Sequence, residues 1–204
     1  MKNIVFLFIL FCTSVPVSSQ LGLSIGGGAN FSNLKVDNLG SFKPTSSTNY
    51  FLSVKPEFHL TENLCIALDI QFSQKGFGLN ADTTDFIDGY KFQYLDIIPQ
   101  VQYKLFKQLA IYGGLGVGIR GSEKYKIRDA WEEAVMKVSS GTDFTYVVGV
   151  RIFATDKLFL QAHYAGGLSS FYKDTVFTDP QGNEIKDADT KLRNFQLGLG
   201  YQLF

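Results

Sequence analysis

The sequence predicts an all-β protein: an eight-stranded antiparallel up-and-down transmembrane β-barrel with four long outer loops. Three observations carry this. Apolar side chains recur at every second position through eight separate stretches. A period of two is that of a strand, whose successive side chains leave opposite faces. The connections alternate long, short, long, short along the chain, as in membrane barrels with tight turns on one side and loops on the other. The apolar face is also too bulky to be the inside. It supplies about five large side chains per strand, roughly forty in all, whereas an eight-stranded barrel has a lumen that side chains or one small ligand fill. The apolar face must then meet lipid. The other face, rich in Gly, Ser, Ala, Gln and single charges, must fill the interior.

The first residues read as a secretory signal. Met1-Lys2-Asn3 is a short positive start, Ile4 to Phe11 an apolar core, and Val17-Ser18-Ser19 a small-residue cleavage site. The chain divides accordingly into a signal peptide, residues 1–19, and a barrel domain, residues 20–204. The apolar run is too short for a spanning helix, and Cys12 follows Phe11 rather than the small residue a lipid-anchor signal requires. Once the signal is removed Cys65 is the only cysteine. That excludes an intrachain disulfide and, on cysteine count, a thiol-based metal site. Nineteen basic and 19 acidic residues balance, which argues against nucleic acid as a partner.

Residues 21–31 form the first strand, with Leu21, Leu23, Ile25, Ala29 and Phe31 on one face. A polar loop, 33–49, follows. The central hairpin, 50–78, is the clearest element. Tyr50, Leu52, Val54, Pro56, Phe58 and Leu60 alternate with polar residues, and Leu64, Ile66, Leu68, Ile70 and Phe72 answer them beyond Thr61-Glu62-Asn63. Both apolar series are even-numbered, so residue i faces residue 124 − i, because a slip of one would oppose apolar to polar. Lys55 then lies opposite Asp69, a candidate cross-strand ion pair. A second loop, 79–89, leads to strands at 91–105 and 109–119. Here sidedness requires Leu105 opposite Leu109 across Phe106-Lys107-Gln108. A third long segment, 121–141, precedes strands at 143–153 and 158–168 around Thr155-Asp156-Lys157. A fourth loop, 171–191, precedes the last strand, 194–204. Pro56 and Pro99 each remove a ladder donor within a strand, and a bulge is expected at each.

The inward face predicts a polar network in the lumen: Lys55, Glu57, His59, Asp69, Gln71, Lys75, Asp96, Gln100, Lys104, Arg120, Arg151 and His163. Charges in so narrow a space must be paired. Tyr50, Phe72 and Phe144 towards the loop end, with Phe58, Tyr103 and Tyr201 towards the short turns, fall where the two interfacial aromatic girdles belong. His59 and His163 have the chemistry of metal ligands, and Ser53, Glu57 and His59 the residue types of a hydrolase. The two histidines are on different strands, and the hydrolase trio shares one strand facing the lumen, so no catalytic, cofactor or metal site is assigned. Asp82, Asp85 and Asp88, with Asp187 and Asp189, lack the spacing of a calcium loop and read as solvated loop charge.

Residues 127–138, IRDAWEEAVMKV, break the period of two. Ile127, Ala130, Trp131, Ala134, Val135 and Val138 trace the stripe of an amphipathic helix. Such a helix packs on the barrel mouth or presents Ile127, Trp131, Val135 and Val138 to a partner.

Four stretches, IALDIQFSQKGFG (66–78), YLDIIPQVQYKL (94–105), IYGGLGVGIRG (111–121) and NFQLGLGYQLF (194–204), resemble the PorT-like small outer-membrane β-barrel proteins. Residues 94–105 look like that family's Tyr-Leu-acidic-Ile-Pro strand, with Pro99 shifted along by Ile98. The resemblance spans the barrel domain. It implies a Gram-negative outer-membrane location, and the family's named member is implicated in secretion across the envelope. Phe204 looks like the C-terminal aromatic that barrel-insertion machinery reads. The expected function is a non-enzymatic structural, interaction or secretion/assembly role, with outer-membrane lipid and another envelope protein as partners and no cofactor. The alternatives are a narrow pore for small solutes and a lipid-acting enzyme.

Overall fold

A computed structural model of the chain describes residues 21–36, 44–79, 88–127, 130–133, 141–172, 177–178, 184–185 and 190–204. The expected signal peptide lies outside them. The strands are β1 (Leu21–Val36), β2 (Thr45–His59), β3 (Leu64–Gly78), β4 (Gly89–Phe106), β5 (Leu109–Ile127), β6 (Ala130–Glu133), β7 (Thr142–Phe153), β8 (Leu158–Gly167), β9 (Phe177–Thr178), β10 (Glu184–Ile185) and β11 (Thr190–Gln202). Eight of them close a ring in the order β1-β2-β3-β4-β5-β7-β8-β11, with β11 pairing back onto β1 and every pair antiparallel. Closure leaves the ring no unpaired edge, the condition for a sheet to stand in lipid.

Burial alternates through the middle of the strands, as on β2, where Phe51, Ser53, Lys55 and Glu57 are buried and Leu52, Val54 and Pro56 are exposed. The outer surface carries Leu52, Ile66, Leu68, Ile70, Leu95, Val101, Leu115, Val148 and Leu199. The girdle residues lie on it too. Tyr50 and Phe72 approach ring to ring at 6.4 Å on β2 and β3, and Tyr103, Phe144 and Tyr201 are exposed; Phe58 is half-buried. From Leu64 to Phe72, at about 3.3 Å per residue and a tilt of about 40°, the apolar wall of β3 rises roughly 20 Å, close to the ~25 Å band of outer-membrane barrels.

The central hairpin has the expected register. Phe51 pairs with Ser73, Val54 with Ile70 and His59 with Cys65, each pair summing to 124. Its turn is held by Thr61, whose Oγ1 accepts from the amides of Asn63 and Leu64 at 3.3 and 3.0 Å. Thr155 repeats the device for Lys157 and Leu158 at 3.2 and 2.9 Å. A threonine opening a tight turn ties down amides that would otherwise be orphaned.

Four expectations are corrected. Neither proline makes a bulge: one register runs across Pro56 from Val54–Ile70 to Glu57–Ala67, and one across Pro99 from Ile97–Val117 to Gln100–Gly114. Each proline pairs on its other side, Pro56 with Leu23 and Pro99 with Leu68. An antiparallel residue aims its N–H at one neighbour only, so the lost donor thins one ladder without shifting it. Second, Phe106 rather than Leu105 pairs with Leu109, and the register shifts between Lys104 and Phe106. The extra residue is absorbed as a bulge, which leaves the favoured two-residue turn, Lys107-Gln108. Third, the loops are shorter than expected, because β1 runs to Val36, β5 to Ile127, and β11 begins at Thr190. Fourth, the helix over 127–138 does not form where the chain is described. Ile127 ends β5, and Ala130–Glu133 return along it as β6, with Trp131 opposite Lys126 and Ala130 opposite Ile127. A strand carried beyond the barrel rim pairs its backbone most readily with the chain that follows it. Val135 and Val138 lie outside the described residues, as do Asp82, Asp85, Asp187 and Asp189.

Candidate functional site

The inward face fills the lumen in two layers. In the lower one, towards the short turns, Lys55 Nζ lies 3.0 Å from Asp69 Oδ2, the partner that register assigns it. Gln71 donates to the same oxygen at 2.8 Å, and Lys55 to Gln161 Oε1 at 3.4 Å across the lumen. Arg151 of β7 donates to Glu57 Oε1 of β2 at 2.8 Å, and Ser24 of β1 donates to that oxygen at 3.0 Å. His163 Nδ1 and the Tyr112 hydroxyl are 3.1 Å apart. Towards mid-lumen, Asp96 accepts from Lys75 at 2.7 Å and from Ser73 at 2.6 Å. The Arg151–Glu57 and Lys55–Gln161 bonds cross the lumen between distant strands, the Tyr112–His163 contact reaches past β7, and the others link neighbouring strands or lie within one. These side chains are buried. Gln100 is buried among them.

Glycines make room for rings in this narrow space. A Cβ on Gly200 would stand 2.1 Å from the Phe159 ring, and one on Gly149 would stand 2.5 Å from that of Tyr112. Phe159 in turn lies under the Arg151 guanidinium at 4.3 Å.

The upper layer is different. Leu34, Phe77, Phe92, Tyr94, Phe171 and Leu192 form a buried cluster across the loop-end mouth, with Val36, Leu79, Tyr90 and Tyr172 packed against it. Phe171 comes from the segment expected to be a fourth loop. It bonds through its amide to the Thr190 carbonyl at 2.6 Å and sets its ring edge-on to Phe92, 5.0 Å away. Arg120 lies beneath, its guanidinium 4.8 Å from the Phe171 ring, 5.1 Å from Phe92 and 5.5 Å from Tyr94. Its Nε donates to the Tyr94 hydroxyl at 3.1 Å, and that hydroxyl donates to Asp143. Burial holds the Tyr172 phenol above its ordinary pKa, so it remains a neutral cap.

Glu123 completes this layer. It reaches Arg120 at 3.7 Å, both side chains being buried. Residues three apart on a regular strand face opposite ways. Here Gln93 pairs with Ser122 but Tyr94 with Arg120, leaving Gly121 as an extra residue, and the bulge turns Glu123 inward beside Arg120.

The predicted lumen residues therefore face one interior, but the cap was missed. The sequence does carry a signal for it. On β11, Gln196 and Gly198 face in while Leu197 and Leu199 face out; four residues nearer the loop end, Leu192 faces in between Lys191 and Arg193. On β4, Phe92 is likewise buried between Lys91 and Gln93. The apolar parity inverts where the outer surroundings change from lipid to water.

At the short-turn end the lumen opens into a recess of about 260 Å³, bounded by Glu57, His59, Gln102, Lys104, Phe153 and Phe204 among others. His59 is half-exposed there, its Nε2 3.9 Å from Glu57 Oε2. Lys104 sits 5.5 Å from the Phe153 ring. Cys65 is buried beside them as a free thiol. At the other end the β5–β6 hairpin stands out from the barrel. Lys91 Nζ lies 4.3 Å from the Trp131 ring, Tyr125 donates to Glu132 at 3.3 Å, and Lys124 pairs with Glu133 at 3.7 Å.

A family model described as "Outer membrane protein beta-barrel domain" matches residues 4–202. No curated protein matches the sequence. Among solved structures, the chain is similar to Ail, the attachment invasion locus protein of Yersinia pestis, at 20% identity and a TM-score of 0.55, over 90% of this chain and 99% of that one. It is also similar to neisserial surface protein A at 10% identity and a TM-score of 0.53, over 88% and 96% respectively.

Proposed function

The chain belongs to the outer membrane protein beta-barrel domain family, and from that premise we propose that it is a non-conducting, non-enzymatic envelope protein of the PorT-like kind, acting through the surfaces at its two ends. It is an integral outer-membrane protein, so its short turns face the periplasm and its loops the exterior. The observation that carries the reading is the double seal. The Arg151–Glu57 ion pair crosses the lower lumen between β7 and β2, and aromatic rings close the loop-end mouth. A conducting path would instead need a wet, lined channel with sites an ion can enter and leave.

The test is single-channel recording on the refolded barrel in planar bilayers. The expected result is a silent membrane, and reproducible unitary steps would overturn the reading in favour of the small-solute pore. Changed lipid A or phospholipid on overexpression would overturn its non-enzymatic part.

The interaction role rests on the β5–β6 hairpin, which projects Trp131 beyond the rim where packing does not require it. Capture from mild-detergent outer membranes, with a tag inserted at 179–183, should recover a stoichiometric envelope partner. Recovery of the barrel with lipid alone would count against it. Phe204 is exposed at the end of the chain, a position suited to a signal for the insertion machinery. Its deletion should lower the fraction of chains that insert.

A further inference from the structure

We propose that the periplasmic mouth of the lumen is a metal site, in which Glu57, His59 and Cys65 bind a zinc-type divalent cation and leave one coordination position open to the recess. Three observations meet here. Glu57 and His59 are two apart on β2 and so share the inward face, while Cys65 is the register partner of His59 on β3. Their ligating atoms all lie within 4.8 Å of one another, and among the described residues no other trio of His, Cys, Asp or Glu converges in this way.

The carboxylate of Glu57 is already oriented. Its Oε1 accepts from Arg151 and Ser24 at 2.8 and 3.0 Å, whereas Oε2 is turned to His59 Nε2 at 3.9 Å. Outer partners that fix a ligand while leaving its other lone pairs free are a regular feature of metal sites. Ligands bound at about 2.0–2.3 Å around a tetrahedral centre stand somewhat under 4 Å apart, so modest side-chain movement closes this set.

The donor set selects the ion. One thiolate, one imidazole and one carboxylate suit a borderline cation; an all-oxygen site would suit calcium or magnesium. Three protein ligands beside an accessible space is the open form of zinc coordination. Binding deprotonates the Cys65 thiol, forming the metal–sulfur bond and releasing one proton to solvent. The thiolate and carboxylate then neutralise the dication.

The decisive measurement uses the full-length mature barrel without a polyhistidine tag, stripped with chelator and titrated with Co²⁺ as a spectroscopic stand-in for zinc. The expected result is a thiolate-to-cobalt charge-transfer band saturating at one equivalent and bleached by Zn²⁺. Wild-type protein suffices, so misfolding of a variant cannot obscure the answer. Absence of the band overturns the proposal. Calorimetry with Zn²⁺ in two buffers should show release of about one proton per ion from the thiol. Cys65→Ser and His59→Ala should each weaken Zn²⁺ binding beyond the roughly 10–100-fold expected for an outer partner, and Ser24→Ala should stay within that range. Unchanged affinity in both ligand variants would place any bound zinc elsewhere and sink the assignment.

Discussion

The two ends of the lumen are sealed by different physics. In the lower half the buried charges are closely paired, Lys55 with Asp69 and Arg151 with Glu57, at 2.8–3.0 Å. Near the loop end, Arg120 has one carboxylate at 3.7 Å and three aromatic rings around it. The lower half is specified by hydrogen-bond geometry, and each member depends on its partner. The upper half is specified by packing, with the cation held against ring faces. The difference follows from what lies outside the wall. Where the wall meets lipid, outward positions take the apolar residues and the inside takes what remains. Above the lipid the outside is water, and apolar residues return to the inside as in a soluble protein.

The largest effect should come from splitting a lower pair. Asp69→Ala leaves Lys55 buried without its carboxylate, and removal of one partner of a buried pair costs about 3–5 kcal/mol. Replacing both, as Lys55→Met with Asp69→Leu, should restore most of the loss, since a well-packed apolar pair removes the desolvation cost as well. Urea unfolding of the barrel in lipid vesicles, followed by Trp131 fluorescence and the gel shift on boiling, measures both. If the double variant is as unstable as the single one, the lower half is not governed by charge pairing.

Phe171→Ala tests the upper half. A buried phenylalanine lost to alanine costs about 3 kcal/mol or a little more. The two seals share no direct contact among the bonds described, so Asp69→Ala and Phe171→Ala should add to within about 0.5 kcal/mol. Strong non-additivity would show that the two regions form one cooperative unit. Glu123→Gln is a subtler probe of the same region, because it removes the carboxylate that reaches Arg120 and leaves the Tyr94 hydroxyl and the ring faces around that cation. The expected loss is about 1–3 kcal/mol, that of a charge-assisted bond removed from a buried site.

Much of this was legible beforehand, for a definable reason. Within the bilayer one rule, apolar out, acts on every strand at once, so parity alone fixes sidedness, and sidedness fixes the 124 register of β2 and β3. That register also puts Cys65 opposite His59. Counting cysteines hid the cluster, because a mixed site needs only one thiol. The bulges at Gly121 and Leu105 were not legible, since a one-residue insertion leaves both flanking alternations intact. The cap was missed because Leu34 and Phe171 fell in segments read as loops, while Phe77, Phe92 and Leu192 obey the opposite parity from their own strands. The helix expected at 127–138 shows the same limit: Ile127, Ala130 and Trp131 fit a helical stripe, yet Ile127 and Ala130 are cross-strand partners closing a hairpin.

The smallest stability effect, and the sharpest test of which end does the work, is Trp131→Ala. The residue is 40% exposed, above the rim, and Lys91 lies over its ring at 4.3 Å. An exposed cation–ring contact is worth about 0.5–1 kcal/mol, and loss of that hairpin contact should leave the unfolding midpoint of the barrel close to wild type. Both lumen seals lie on other strands or further down β5, so the gel shift should be unaltered. A side chain that contributes so little to the fold is free to serve recognition, where a large aromatic anchor near the centre of a contact typically carries 2 kcal/mol or more of binding. Capture of the envelope partner should therefore fall by about thirtyfold or more, by the ordinary conversion of free energy to affinity. Destabilisation comparable to that of Phe171→Ala, with capture unchanged, would make the β5–β6 hairpin part of the cap and move the interaction surface to the periplasmic turns.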